Sequence, residues 1–507
     1  MLDLRDFIEK LVEHGELKII DKEVHWDQEA AAICAMANRV GAPAVWFKKI
    51  KGYPKGYSLV GGTLTGPGTH FPVQGERFIR KPWTRTAIAL ELEPSIGYGE
   101  IIDQLIERAN NPLNPTELST GPCKEVIKKG ANVDIFELPI PHIHHGDGGR
   151  YLTLHNLIVK DPDTGAQDWG CTRVMVLGKN ILVGSFLPRE KSITPIRGDY
   201  TWKIFQKYEA QNRPMPFCIA IGGDPVSYVA SMMHSLEGVS KAAIAGGLSL
   251  SPLEIVPAET CDLMVPAKAE IIIEGEVLPK QRASEGPYGE WTIGFTPPMP
   301  QPIMKINAIT HRKNPILPFQ VEGCKVWDSM AILSLTASMD ILKCCRANNM
   351  RVRWVNVPPD WGLGAVVVST KNYFNGYLFW LSRTIFSSNF SHLYDKIFVV
   401  EDDVPPIDLF LVMGDWMNKN NMLKDIHFMD GAPFKSPILA YDRPDETPLK
   451  TSTRVYYDCT WPLDWRKEDI PPRVHFEFYP EPIKKLVLER WKDYYGLKSE
   501  PIFKEYK

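Results

Sequence analysis

The chain has 507 residues, of which 44% are apolar and 23% charged, and a formal net charge of −3. Such a length divides into roughly two to four domains with cores of their own, and the composition is that of an ordinary soluble globular protein. A balance this close to neutral gives no support to a nucleic-acid or anionic-membrane surface, which leaves small-molecule chemistry as the expectation.

Leu4, Phe7, Ile8, Leu11 and Val12 recur at helical spacing and Gly15 supplies a stop, predicting an amphipathic opening helix followed by a strand at Leu17–Ile20. Strand and loop signals alternate from Ala44 to Gly66. A second helix pattern, Ile101 to Ala109, is broken by Asn110-Asn111-Pro112. From about Gly121 to Thr310 the pattern changes to short β-rich runs between Gly, Pro and Asp turns: Tyr151–Val159, Thr172–Val176, Ile181–Phe186, Phe217–Ile221, Glu270–Glu276 and Ile303–Thr310. That spacing predicts a barrel or sandwich with inserted helices. Beyond Pro318 a helix (Met330–Cys345), strands (Val352–Val357, Ala365–Ser369), an apolar helix (Tyr373–Thr384) and a strand (Lys396–Val400) predict an α/β layer. Pro482, at a first helical position, opens a terminal helix. The expected division is 1–115, 116–318 and 319–507, an α/β (α+β) chain. Its 42 prolines sit between apolar runs and indicate fixed loops.

The nine cysteines are scattered and never spaced as C-x-x-C, which indicates a reducing compartment and not a disulfide framework or a structural zinc site. No signal-peptide pattern opens the chain, and no apolar run reaches the ~18 residues of a membrane span. A cytoplasmic protein is expected.

No phosphate loop, H-E-x-x-H or G-x-S-x-G pattern occurs. Two features remain. The stretch His142, His144, His145 and Asp147 has metal-ligand residue types, but the stronger reading is a loop in which Asp147 and two glycines shape a turn into Tyr151–Val159. The loop Ser284-Glu285-Gly286-Pro287-Tyr288-Gly289-Glu290-Trp291 pins two carboxylates with glycines and a proline. With an arginine such as Arg173 it makes a proton-handling site, and without one it is an acidic hairpin.

Four stretches occur in the order seen in the UbiD family of decarboxylases: Asp147–Thr153, Trp169 with Thr172–Val176, Glu259–Ala267, and Glu285–Glu290. The chain resembles that family over nearly its whole length. The resemblance implies an N-terminal α/β region, a central split β-barrel flavin-binding domain and a C-terminal α/β oligomerisation domain. It also implies removal or addition of a carboxylate on an aromatic or α,β-unsaturated acid with prenylated FMN, CO2 as co-product, a flavin prenyltransferase as cofactor supplier and a homo-oligomer. By motif, Arg173, Glu285 and Glu290 match the family's catalytic network, and Asp168, Thr172, Arg173, Lys191, Met232 and Lys241 fall at cofactor-binding positions.

The family's divalent metal, bound by Asn, His and Glu beside a potassium ion, maps onto Asp168, Lys191 and Lys241. A protonated lysine has no lone pair to offer, so only Asp168 is a plausible ligand and Mn2+ and K+ are not expected by this match. The lysines can instead supply the ion's positive charge and hold a phosphate directly, with Asp168 orienting them. Asn389 falls where relatives place a phosphate-contacting lysine. His234 and Glu237 are alternative ligands, Cys171 is a thiol close to Arg173, and Cys324, Trp327, Asp328 and Met330 fall where relatives line the substrate pocket. Trp327 and Trp361 suit a flat ring or the core. Two alternatives stay open: a phenylphosphate-carboxylase-like enzyme with metal-independent or absent flavin, and a non-catalytic subunit of a carboxylase complex.

Overall fold

The computed structural model describes residues 2–66, 81–186, 200–234, 238–291, 293–323, 326–433, 451–474 and 479–495; Lys191, Glu237 and Cys324 lie outside them. The opening helix forms over Leu4–Glu13, burying Leu4, Phe7, Ile8 and Leu11 on one face, and Asp3 caps it by accepting from the backbone N–H groups of Arg5 and Asp6. Arg5 docks that helix onto the centre of the molecule, its Nε and Nη2 donating to the buried Glu270 carboxylate at 2.7 and 2.9 Å. Beside it lies a four-stranded sheet in the order Leu17–Val24, Ala44–Ile50, Ser58–Gly61 and Ile316–Phe319. Its last strand arrives from the far end of the central region.

The centre is a nine-stranded sheet. Its path runs Tyr151–Leu152, Val174–Gly178, Ile181–Gly184, Met299–His311, Ile271–Glu285, Met215–Ile221, His155–Lys160 and Gln167–Gly170, with Val126–Lys129 added on Met299–His311. Gln167–Gly170 ends this path and Val174–Gly178 stands near its other end, yet only Cys171, Thr172 and Arg173 connect them. Four residue steps reach at most about 14 Å, whereas the six intervening strand spacings would measure about 29 Å in a flat sheet. The sheet must curl until its ends approach each other, giving a split barrel whose seam is crossed by the segment that carries Arg173.

The long strands Ile271–Glu285 and Met299–His311 pair from Ile271↔His311 to Glu285↔Met299, with register breaks at Gly275 and between Val277 and Arg282. Such bulges bend a strand and re-aim its end. Tyr151–Val159, expected as one strand, is two, because Thr153 leaves the ladder to exchange hydrogen bonds with the Gln320 backbone at 3.1 and 3.2 Å.

The C-terminal layer holds a five-stranded sheet ordered Val352–Asn356, Ala365–Thr370, Lys396–Val400, Thr451–Cys459, Ile426–Pro433. Ala365–Thr370 is buried along its full length and pairs in parallel with Lys396–Val400, which explains its unbroken apolar run. The helix Asp328–Ala347 leads into this layer and packs against its strand Val352–Asn356 and against the helix Tyr98–Ala109 of the N-terminal region. Trp361 lies against Phe398 at 5.3 Å between ring centroids and belongs to the core of this layer. No described helix is long and apolar enough to cross a membrane.

Candidate active site

Glu285 closes the long strand, the short ladder Tyr288–Gly289 with Phe295–Thr296 follows, and Glu290 N donates to Gly294 O at 2.9 Å to close the turn. The two carboxylates therefore flank one compact hairpin. Arg173 meets both. Its Nε donates to Glu285 Oε1 at 2.8 Å and its Nη2 to Glu285 Oε2 at 3.1 Å, a bidentate fork, while Nη1 donates to Glu290 Oε1. Nη2 also reaches Thr296 Oγ1 at 3.4 Å, and the guanidinium lies 4.8 Å over the Tyr288 ring. Tyr151 Oη donates to Glu285 Oε1 at 3.0 Å. Burial works against the Arg173 charge, but Glu290 and Glu285 more than offset it and hold the arginine above its usual value. Arg173 was expected inside a strand, but the strand begins only at Val174, since Cys171–Arg173 are consumed in crossing the seam.

The stretch Asp147–Gly149 clasps this hairpin from outside. Asp147 Oδ1 accepts from Gly289 N at 2.9 Å, Asp147 Oδ2 accepts from His144 N at 2.8 Å, and Gly148 N donates to Pro287 O at 2.8 Å. A Cβ on Gly148 would overlap the Gly286 carbonyl, so only glycine permits this approach. The histidines around it are engaged individually: His142 Nδ1 with Asp27 Oδ1 at 2.7 Å, and His144 Nε2 with the Glu322 carbonyl at 2.8 Å. The turn reading of that stretch fits the geometry, and among the described residues no three His, Cys, Asp or Glu side chains converge to hold a metal ion.

Arg173 and Glu290 face a cavity of about 500 Å³, a size typical of small-ligand and cofactor sites. Asp168, Thr172, Met232 and Lys241 line the same space, as do Trp169, Tyr228, Trp291 and, from the C-terminal layer, Leu333, Asn389 and Phe390. Glu285 stands behind Arg173 with its side chain 2% exposed. Asp168 and Lys241 attract each other. Burial raises the Asp168 carboxyl, with Lys241 opposing, and burial pulls the Lys241 ammonium down to about 8, with Asp168 opposing.

Several sequence expectations take other places. Cys171 lines the cavity, but burial pushes its thiol up to about 12, which leaves it no nucleophile. His234 lines the cavity without joining a ligand cluster. Asn389 Nδ2 donates to Asp340 Oδ1 at 2.9 Å, so its amide is already engaged. Trp327 Nε1 donates to Ser329 Oγ at 2.9 Å and Asp328 Oδ1 accepts from Leu64 N at 2.6 Å. With Met330 they build the junction between layers, and it is Ser329 and Leu333 of that helix that reach the cavity. The Glu259–Ala267 motif stays outside the cavity as well: Glu259 N and Thr260 N donate to the buried Glu274 carboxylate, at 2.9 and 2.7 Å, latching that loop to the sheet.

Glu322 escaped sequence reasoning. Its carboxylate accepts from Gln320 Nε2 at 2.8 Å and lines the cavity. Burial first, and then Glu290, raise it well above the usual carboxylate range. No motif marks it; only its proximity to Glu290 in space does.

The helix Pro225–Ser231 delivers Tyr228 and Ser231 to the cavity. Its cap is Asp224, whose Oδ1 accepts from Val226 N at 2.9 Å while the buried Oδ2 has no hydrogen-bond partner among the described residues. Burial raises this carboxyl from 3.8 to about 8. The folded chain thus holds the proton more tightly than the unfolded one, and this contribution to stability is complete below 3.8 and lost as pH rises through about 8. Asp224→Asn keeps an oxygen cap and removes the charge. Its unfolding free energy should exceed wild type by about 1–3 kcal/mol near pH 8.5, with the gap narrowing near pH 5, as read from denaturant titrations at both values.

Comparison with known proteins decides the family. Residues 8–105, 115–325 and 331–459 match, in order, the N-terminal, Rift-related and C-terminal domains of 3-octaprenyl-4-hydroxybenzoate carboxy-lyase, UbiD. The chain belongs to the UbiD family. It is similar to a pyrrole-2-carboxylic acid decarboxylase of Pseudomonas aeruginosa, 27% identical over 97% of this chain and 98% of the relative. A phenolic acid decarboxylase of Sedimentibacter hydroxybenzoicus is 29% identical over 91% of this chain and 92% of the relative. Among solved structures, the UbiD-class enzyme HmfF from Pelotomaculum thermopropionicum in complex with FMN superposes with a TM-score of 0.79 at 27% identity, covering 94% of this chain and 97% of the other. An evolved dimeric form of HmfF in complex with prenylated FMN gives 0.75 at 27% identity, covering 92% and 97%.

The UbiD-family cofactor can be weighed against these residues. The cavity has the volume for a ligand of that class, aromatic walls at Trp169 and Trp291, and a cation at Lys241 for an anionic end, so a flavin nucleotide fits. The family's divalent ion does not: of its three ligand positions, Lys241 offers an ammonium where the family pattern has a glutamate, and the Asp168 carboxylate feels the attraction of that ammonium.

Proposed function

We propose that this chain decarboxylates, or in reverse carboxylates, a small aromatic or heteroaromatic acid, with prenylated FMN held in the 500 Å³ cavity. The observation that carries this reading is the Arg173 guanidinium fixed between Glu285 and Glu290 at the wall of a cavity able to take a flavin. Loss of carbon dioxide leaves an electron pair on carbon, and the modified flavin, when bound, supplies the electron sink that no side chain provides. Arg173 offers a permanent planar charge to the substrate carboxylate. Glu285 and Tyr151 hold that fork in orientation from behind. Glu290, on the cavity side, delivers the proton that replaces carbon dioxide. Glu322 lines the same cavity, its carboxyl raised by burial and by Glu290, and is placed to meet a polar ring substituent; both named decarboxylase relatives act on acids that carry a ring N–H or a phenolic hydroxyl.

The retained Arg-Glu-Glu network argues against a non-catalytic subunit. A flavin prenyltransferase supplies the cofactor in this reading, and the chain works in the cytoplasm as a homo-oligomer. Exposed Phe410, Leu423 and Phe428 in the C-terminal layer support self-association there. The test is protein from cells co-expressing a flavin prenyltransferase, assayed for carbon dioxide release and bicarbonate exchange across a panel of aromatic and heteroaromatic acids. Flavin-loaded protein that turns over none of them would refute the activity.

A further inference from the structure

We propose that Lys241 stands in for the divalent cation and holds the flavin's phosphate directly, so that this chain anchors its cofactor without a divalent metal. The inference rests on the flavin reading above and adds to it the means of attachment. Lys241 is the first residue of the helix Lys241–Leu248, which is capped by Ser240 Oγ accepting from Ala243 N at 3.1 Å. Its ammonium is therefore placed at the positive end of a helix dipole, where anions are favoured. The residue is 4% exposed and yet lines the cavity that Arg173 and Glu290 face. Its Nζ donates to the Met233 carbonyl, which fixes the side chain with one of the three donors of an ammonium and, among the described residues, leaves the others for a ligand.

Asp168 makes the position specific. It lines the same cavity, and its attraction counters the burial that disfavours the Lys241 charge. A carboxylate and an ammonium on one cavity wall offset each other's charge in the absence of any metal, whereas a divalent cation would be repelled by the ammonium, and among the described residues no three His, Cys, Asp or Glu side chains gather to hold it. A phosphate meets the opposite situation: an ammonium on the cavity wall, carried by the first residue of a helix.

The test is flavin binding to apoprotein by fluorescence quenching, with FMN and with riboflavin, which lacks the phosphate, in buffer containing EDTA. The expected result is that FMN binds in EDTA, more tightly than riboflavin. In Lys241→Met the FMN preference should fall about tenfold or more, the loss of one charged hydrogen bond, while riboflavin affinity is unchanged. Thermal melting of the variant controls for folding, and the wild-type comparison needs no variant. Lys241→Glu should make FMN binding depend on added Mn2+, with the metal detected by elemental analysis. FMN binding to wild type only when Mn2+ or Mg2+ is supplied would overturn the inference and leave the flavin reading intact, as would an unchanged FMN preference in well-folded Lys241→Met. Failure to bind either flavin, with or without metal, would overturn the flavin reading and the inference with it.

Discussion

Glu290→Gln is expected to lower decarboxylation and solvent-proton exchange by about 10²–10⁴-fold, the range for loss of a positioned general acid, while flavin content stays that of wild type. The amide keeps an oxygen to accept from Arg173 Nη1, so the fork and the cavity wall are retained. What disappears is a transferable proton on the cavity side of the arginine. The split between chemistry and binding is the informative part: exchange should fall with turnover, and unchanged exchange in a flavin-loaded variant would move the proton-delivery role elsewhere, with Glu322, whose carboxyl is raised by burial and by Glu290, as the next group to test.

Arg173→Met is expected to abolish activity and also to destabilise the fold by about 3–5 kcal/mol, because it strands two carboxylates that have little access to water. Glu285 and Glu290 are 2% and 13% exposed, and Tyr151 Oη and the protein dipoles around them do not replace a bidentate guanidinium. The triple variant Arg173→Met, Glu285→Gln, Glu290→Gln should recover most of the lost stability but none of the activity, since it removes the uncompensated charges together with the arginine. Denaturant unfolding of the wild type, the single and the triple variant separates electrostatic burden from lost packing. If the triple variant is as unstable as the single one, the arginine's contribution is steric.

Much of this was readable from residues. The opening helix, its stop and the buried strand Ala365–Thr370 follow from apolar spacing, because each buries a face, or both faces, that its own sequence declares. The long strand ending in Glu285 was not readable past Glu276: Pro279, Lys280, Gln281 and Arg282 look like a turn, and they extend the strand only because Arg282–Glu285 find partners at Met299–Pro302. Arg173, Glu285 and Glu290 were singled out by motif, and the structure brings them into contact. Tyr151 and Glu322 carry no motif signal of their own, since the carboxylate each one meets, Glu285 for Tyr151 and Glu290 for Glu322, is distant in sequence and near only in space. The pattern Glu259–Ala267 misleads in the opposite direction, being a recurrent motif whose contacts are those of a latch and not of a site.

The clasp of Asp147 and Gly148 on the Glu285–Glu290 hairpin divides the labour of the cavity. The wall that carries Arg173 and Glu290 is held by hydrogen bonds to the Asp147 carboxylate and the Gly148 backbone, while the facing wall, with Leu333, Asn389 and Phe390, comes from a different layer. Substitutions that reshape the facing wall need not disturb the clasped one. A scaffold built this way lets the shape of the acid-binding space and the geometry of the Arg173 network be altered separately, because different layers of the chain supply them.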